Sequence, residues 1–189
     1  GMWKSYIALS LLEHFHRESR LRGTRGRMLI IAPKNLTPMW KDLARQYRFN
    51  AEVVSLGLVS QEGFDETLLN EYADVSVCLI DESHHLRNTK TNRYRNLEQF
   101  LPTVGKSILL TATPYTKEVE NLYNQIKLFH EDDRTDMPIN PPNLREYFKE
   151  VRNDRAELST LLQHVMVRRT RQDIIDLYDR VRTGAFVHV

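Results

Sequence analysis

The chain has 189 residues, of which 41% are hydrophobic and 28% charged, with 27 Lys+Arg, 25 Asp+Glu and one cysteine. A chain of this length buries a core without disulfides, and its apolar content excludes an intrinsically disordered protein. No apolar run reaches the roughly 18 residues of a membrane helix and no secretory leader opens the chain, so a cytoplasmic protein without a membrane span is expected. The formal net charge of +2 favours no class of partner.

Strand and helix patterns alternate along the first two thirds of the chain. Residues 28–32 form an unbroken apolar run, typical of a parallel strand covered on both faces, and Thr37 and Pro38 are predicted as the N-cap and first residue of the next helix. Further strands are predicted at residues 53–58, 75–80 and 107–110, and helices at residues 7–15, 38–47, 66–72, 93–101 and 118–129. This alternation predicts an α/β domain with a mostly parallel sheet and right-handed crossovers.

The pattern changes near residue 130. Residues 131–142 are acidic and punctuated by prolines, which predicts an irregular, protruding loop. Helices are predicted beyond it at residues 144–151, 156–165 and 174–178, with a short strand at residues 165–167. We therefore predict a lobe at residues 1–130, closed by a loop and helical extension at residues 131–189.

Polar residues follow two of the predicted strands at the edge where open parallel sheets bind ligands. Asp81 and Glu82 come directly after residues 75–80, and Thr111 and Thr113 come after residues 107–110. One such carboxylate can hold Mg²⁺ through water, and its neighbour can polarise an attacking water toward a terminal phosphate. This edge of the sheet is therefore a candidate site of nucleotide hydrolysis.

These residues carry a family resemblance. Residues 81–84 resemble the DExH form of motif II, and residues 111–113 resemble motif III, of the superfamily 2 helicases and translocases. Residues 32–36 with Trp40 resemble motif Ia of the Swi/Snf-like branch, and residues 165–170 resemble the arginine-pair segment that closes its first lobe. The resemblance covers nearly the whole chain in family order and implies a RecA-like lobe of the P-loop NTPase type, with three layers and helices on both faces of the sheet.

The resemblance implies roles for individual residues. Asp81 would coordinate Mg²⁺ and Glu82 would orient the hydrolytic water, while Thr111 and Thr113 would couple the nucleotide state to the grip on DNA. Lys34 would contact DNA phosphates. The implied function is ATP hydrolysis coupled to duplex DNA binding in a helicase or translocase, with ATP and magnesium as cofactors and a second RecA-like lobe or partner chain completing the motor.

The phosphate-binding loop departs from the family pattern. Lys4 would reach the β and γ phosphates and Ser5 would place its hydroxyl on magnesium, but Trp3 precedes the lysine where a glycine-rich loop is needed. Gly1 is interpreted as the remnant of a cleaved tag. We therefore expect a lobe truncated at its P-loop, with an open sheet edge beside the motif III strand, that does not work as a motor by itself. The alternative is a non-catalytic DNA- or protein-binding module from a degraded or split helicase gene.

Smaller signals allow two interpretations each. Cys78 is interpreted as a buried structural thiol rather than a reactive one, and Trp40 as a core residue rather than a base-stacking platform. His84 is assigned to motif II rather than to a metal site. Arg168 and Arg169 would bind DNA phosphates if exposed and would be structural if paired with the acidic loop, and the sequence leaves both open.

Overall fold

The structure is a computed structural model that describes residues 2–21, 26–112, 119–130 and 133–165. Contacts between residues divide the chain into two compact units, Gly1–Arg134 and Thr135–Val189. Five predicted features lie wholly or mostly outside the described residues: Thr113, Arg168, Arg169, the strand at residues 165–167 and the helix at residues 174–178.

The first unit alternates strands and helices, as predicted. Its described elements are α1 (Met2–Leu21), β1 (Arg27–Ala32), α2 (Thr37–Gln46), β2 (Ala51–Ser55), α3 (Leu56–Val59), α4 (Phe64–Glu71), β3 (Val75–Ile80), a 3₁₀ turn (Ser83–Leu86), α5 (Asn92–Phe100), a second 3₁₀ turn (Leu101–Thr103), β4 (Lys106–Leu109) and α6 (Val119–Lys127). The strands form a parallel sheet in the order β2-β1-β3-β4. The predicted α/β class is confirmed.

Helices cover both faces of this sheet. One face packs against α3, α4 and α5 through what we call the α5-side core, which includes Leu29, Ile31, Leu68, Cys78, Tyr94, Leu97 and Phe100. The other face packs against α1 and α2 through the α1-side core, which includes Ala8, Leu12, Met28, Ile30, Trp40, Phe49 and Leu79. Successive residues of β1 therefore alternate between two cores, which explains its unbroken apolar run and confirms the predicted three layers.

Cys78 confirms its interpretation as a structural thiol. It lies in β3, fully buried in the α5-side core and without a disulfide. Burial disfavours the charged thiolate and raises the pKa of the Cys78 thiol far above its ordinary value. The side chain therefore serves packing rather than nucleophilic chemistry.

Two local predictions are wrong. The strand predicted at residues 53–58 ends at Ser55, whose hydroxyl accepts a hydrogen bond from the backbone N–H of Leu58 and starts the short helix α3. Thr37 is not the N-cap of α2 but its first residue. Its hydroxyl donates instead to the backbone carbonyl of Lys34, 2.9 Å away, because the turn after β1 places that carbonyl within reach.

The described part of the sheet ends at β4. This strand pairs with β3, yet both of its faces contact helical layers, since Ile108 packs on the α1-side core and Leu109 on the α5-side core. β4 is nevertheless the edge strand of the described sheet, and its residues are only partly buried, with Lys106 exposed. The predicted open edge beside the motif III strand is present in the described residues.

The second unit is helical where it is described. Asn143 caps α7 (Leu144–Arg152), because its side-chain oxygen accepts from the N–H of Glu146 at 3.0 Å, and α8 (Leu158–Val165) follows. Both helices were predicted from their apolar spacing, and their bounds differ from the prediction by one or two residues. None of the described helices combines the length and apolar character needed to cross a membrane.

Candidate active site

Three chain segments converge at the carboxyl edge of the sheet. The N–H of Asp81 donates to the carbonyl of Ile31, and the N–H of Leu110 donates to the carbonyl of Ile80, each at 2.8 Å. The N–H of Ser83 donates to the carbonyl of Leu110, also at 2.8 Å. These bonds extend the parallel pairing beyond the strands and fix the motif II and motif III segments against each other.

Asp81 is buried, with 4% of its surface exposed, and both of its carboxylate oxygens accept hydrogen bonds. Oδ2 accepts from Nε1 of Trp40 at 3.0 Å, and Oδ1 accepts from the backbone N–H of Glu82 at 2.8 Å. Buried charge is costly unless it is hydrogen-bonded, and these two donors supply that compensation. Trp40 is a core residue, as predicted, but its contact with Asp81 was not foreseen.

Glu82 adopts a strained backbone conformation. Its φ of 52° and ψ of 46° lie in the left-handed region, which residues other than glycine rarely occupy. Such a conformation costs about 1–3 kcal/mol and is concentrated at functional sites. Here it turns the chain from the end of β3 into the 3₁₀ turn that begins at Ser83.

Lys4 lies against Glu82. Nζ of Lys4 donates to Oε1 of Glu82 at 2.7 Å, and both side chains are about a quarter exposed, at 23% and 24%. The packing of α1 on the sheet, through Ala8 and Leu12, holds the first turn of α1 at the carboxyl edge. Two residues selected from separate motifs are thus in direct contact.

The charges around Glu82 favour its ionised form. Partial burial by itself would raise the pKa of Glu82, but the hydrogen bond and charge of Lys4, with the charges of His84 and His85, lower it below the ordinary value of 4.5. Nδ1 of His84 lies 3.1 Å from Oε2 of Glu82. Burial, followed by the charges of His84 and Arg93, lowers the pKa of His85. At neutral pH the site therefore contains an ionised Glu82 and a neutral His85.

The remaining predicted residues lie at the same carboxyl edge of the sheet or outside the described ranges. Ser5 follows Lys4 on α1 and is half-buried, as is Thr111 beyond β4. Lys34 is exposed in the turn after β1. The structure thus brings Asp81, Glu82 and Lys4 together, while the assigned roles of Ser5, Thr111 and Lys34 stay predictions.

Amide side chains of α6 hold the motif II turn, and the sequence did not single them out. Ser83 is fully buried, and its hydroxyl donates to Oε1 of Gln125, which is 5% exposed, at 3.3 Å. Nδ2 of Asn124 donates to the carbonyl of Arg87 at 3.0 Å, and the carbonyl of Asn124 accepts from the hydroxyl of Tyr94 at 2.9 Å. The sequence signal that could have identified these residues is the adjacent amide pair Asn124 and Gln125 in an otherwise amphipathic helix.

The oxygen donors fit magnesium bound together with phosphates. Within the described ranges, no group of three or more His, Cys, Asp or Glu side chains is arranged to hold a metal ion by itself. Mg²⁺ at nucleotide sites uses one or two carboxylates, several waters and the phosphate oxygens rather than a cage of protein ligands. The Asp81 carboxylate, with two of its lone pairs already fixed by hydrogen bonds, is a donor of that kind.

Comparison with known proteins decides the family. Residues 61–188 match the SNF2-related domain. The chain belongs to the SNF2-related family. The matched residues include the motif II segment and the end of β4, and the predicted identity as a first RecA-like lobe of a Swi/Snf-like superfamily 2 protein is confirmed.

Relatives and a solved structure agree with this assignment. The chain is 28% identical over 129 residues to "Uncharacterized ATP-dependent helicase YqhH" of Bacillus subtilis (strain 168), an overlap of 59% of this chain and 22% of that protein. It is 25% identical over 141 residues to the Xenopus laevis "SWI/SNF-related matrix-associated actin-dependent regulator of chromatin subfamily A-like protein 1", which covers 67% of this chain and 14% of that protein. The chain therefore spans less than a quarter of the length of these relatives.

The fold is shared with "Sulfolobus solfataricus SWI2/SNF2 ATPase core in complex with dsDNA". The TM-score is 0.54 at 13% sequence identity, over 84% of this chain and 37% of that one. This likeness confirms the RecA-like fold of the SNF2-related domain.

Proposed function

We propose that this SNF2-related domain supplies part of the ATP-hydrolysing site of a DNA helicase or translocase. The observation that carries the proposal is the 2.7 Å contact between Lys4 and Glu82 beside the buried carboxylate of Asp81. A cation, an ionised acid and a fixed oxygen ligand meet at the edge where parallel sheets bind ligands. These are the groups that phosphoryl transfer to water requires.

Each group has a role that its surroundings support. Lys4 would bind the terminal phosphates, and Asp81 with Ser5 would hold magnesium, whose bound charge neutralises the developing charge on the phosphates. Glu82 is ionised at neutral pH because its pKa is lowered, so it can accept a hydrogen bond from water and orient it. Binding of phosphates would compete with Glu82 for Lys4 and would leave that carboxylate available to water.

Duplex DNA is the proposed second ligand. Lys34 is exposed in the turn after β1, and the solved structure that shares this fold contains double-stranded DNA. Contacts to phosphates release counterions, so affinity falls steeply with salt. We expect weak duplex binding at low salt that Lys34→Met reduces further and that declines with rising salt. Duplex affinity that is independent of salt would contradict this contact.

A non-catalytic binding module is the second candidate, and one observation favours it. Trp3 stands directly before Lys4, where a phosphate-wrapping loop needs glycine. In this case the lobe would bind DNA or a partner chain, including a second RecA-like lobe, without hydrolysing ATP.

Isothermal titration of ATP with magnesium separates the two candidates. A working site should bind in the micromolar to millimolar range, and Lys4→Met should weaken binding by about tenfold or more, since charge-assisted hydrogen bonds are worth about 1.5–3 kcal/mol. The matched control is Lys41→Met, because Lys41 is an exposed lysine of α2, and it should bind as the unaltered chain does. Absence of binding that persists after Trp3→Gly would leave the non-catalytic module.

A further inference from the structure

The buried indole of Trp40 has a polar contact that core packing does not require. Its ring is fully buried in the α1-side core, and Nε1 donates to Oδ2 of Asp81 at 3.0 Å. A buried indole N–H needs an acceptor, and a backbone carbonyl would satisfy it equally well. The acceptor here is the carboxylate that the proposed function assigns to magnesium.

The position of Trp40 is fixed by the turn that joins β1 to α2. Proline at position 38 favours the first turn of α2, and the N–H of Trp40 bonds to the carbonyl of Leu36 at 3.2 Å. This first turn lies beyond the carboxyl end of β1, which pairs with β3 immediately before Asp81. Because β1 and β3 are neighbours, the helix that follows one strand reaches the carboxylate that follows the other.

The indole is also suited chemically to holding a metal ligand. It only donates hydrogen bonds and does not titrate in the physiological range, so Oδ2 of Asp81 always meets the same partner. A carboxylate accepts about four hydrogen bonds, and two are made here, by Trp40 and the N–H of Glu82. The carboxylate therefore keeps a fixed plane while retaining lone pairs for a hydrated cation.

We propose that Trp40 is a positioning residue for Asp81, and that its indole N–H sets the orientation in which the carboxylate receives a divalent cation. The proposal rests on the proposed function, since it concerns the cation bound with ATP. Outer partners of metal ligands typically change metal affinity by about 10- to 100-fold. Loss of the N–H should therefore weaken the metal-dependent part of nucleotide binding and spare the metal-free part.

The test compares Trp40→Phe, which keeps a buried aromatic ring and removes the donor, with Phe49→Leu, which reduces volume in the same core. Affinity for ATP is measured by titration with MnCl₂ and again in EDTA, for both variants and the unaltered chain. We expect the gain in affinity from Mn²⁺ to fall by about tenfold in Trp40→Phe and to be unchanged in Phe49→Leu. Affinity in EDTA should be equal in all three proteins.

The outcomes separate this proposal from the proposed function. If the unaltered chain binds ATP with Mn²⁺ and Trp40→Phe binds equally well, only the role of Trp40 is overturned. If the unaltered chain binds no ATP under either condition, the proposed function fails and the positioning role fails with it.

A second measurement tests the hydrogen bond without nucleotide. Trp40→Phe identifies the Trp40 indole resonance in a ¹H–¹⁵N spectrum, and Asp81→Asn should move that resonance upfield because a charged acceptor becomes neutral. An indole resonance that Asp81→Asn leaves in place would show that the bond is absent and would overturn the proposal.

Discussion

The ion pairs at the two ends of the parallel sheet differ in the number of hydrogen bonds that hold them. At the amino end, the guanidinium of Arg27 donates to Asp74 at 2.8 Å, to Glu52 at 2.9 Å and to the carbonyl of Glu71 at 2.6 Å, and it lies 5.0 Å from the centre of the Tyr72 ring. At the carboxyl end, Lys4 makes one hydrogen bond to Glu82, whose backbone is left-handed.

The residues around Arg27, which we call the amino-end cluster, also bond to one another. The hydroxyl of Tyr72 donates to the second oxygen of Glu52 at 2.8 Å, and burial followed by the hydrogen bond to Glu52 raises the pKa of Tyr72 to about 12. The hydrogen bonds to Asp74 and Glu52 raise the pKa of Arg27. The two donors, Arg27 and Tyr72, therefore stay protonated at neutral pH, which is typical of a structural ion-pair cluster.

The Lys4–Glu82 pair at the carboxyl end has fewer hydrogen bonds than the cluster around Arg27. Lys4 makes one hydrogen bond to Glu82, so an anion that competes for Lys4 has only that bond to replace. The difference fits the proposed function, in which the amino end stabilises the fold and the carboxyl end, beyond the ends of the strands, binds the ligand.

The largest effect on stability should come from the amino-end cluster. Arg27→Met removes three hydrogen bonds from a side chain that is 26% exposed, so the free energy of unfolding should fall by about 2 kcal/mol after allowance for solvent screening. Urea unfolding measures the change. Lys4→Met, the matched removal of a cation at the other end, should cost less than about 1 kcal/mol. Equal losses would contradict the division between the two ends.

A smaller gain is expected from relieving the backbone at Glu82. In the Lys4→Met background, where the contact of Glu82 with Lys4 is already absent, Glu82→Gly should raise the free energy of unfolding by about 0.5–1 kcal/mol, because glycine adopts positive φ without steric cost. Urea unfolding of the single and double variants gives the difference. A further loss of stability in the double variant would show that the left-handed conformation stores no strain.

The smallest effect is the pH dependence of the Lys4–Glu82 pair. The folded-state pKa of Glu82 lies below its unfolded value, so the stability that the pair contributes is fully present above about pH 4.5 and is lost as pH falls through the folded pKa. The stability difference between the unaltered chain and Lys4→Met should therefore shrink on acidification below that pH. A difference that stays constant from about pH 3 to pH 7 would exclude the pair as its source.

The elements that the sequence predicts well are those determined by local pattern. β1 and β3 contain the apolar runs 28–32 and 77–80 because each strand packs in two cores, and Asp81 and Glu82 stood out as the polar residues that directly follow β3. The early end of β2 was missed because a single hydroxyl, that of Ser55, starts a helix inside an apolar stretch.

Contacts between distant residues could not be read in the same way. Lys4 and Glu82 were each selected from a motif, but only the packing of α1 on the sheet brings them within 2.7 Å. Trp40 looked like core because it lies at helical spacing, and its bond to Asp81 depends on β1 and β3 being neighbours. Helix packing determines the first contact and strand order the second, and local pattern encodes neither.

Ligand-induced stabilisation tests the division of roles most directly. A ligand that binds only the folded state stabilises it by mass action, by about 2.7 kcal/mol at 100 times its dissociation constant, so thermal unfolding should shift upward when ATP and magnesium are added. We predict this shift for the unaltered chain and for Arg27→Met, despite the lower starting stability of that variant, and its reduction to about half or less in Lys4→Met. A shift that Lys4→Met retains in full, or that the unaltered chain lacks, would contradict an ATP site at Lys4 and Glu82.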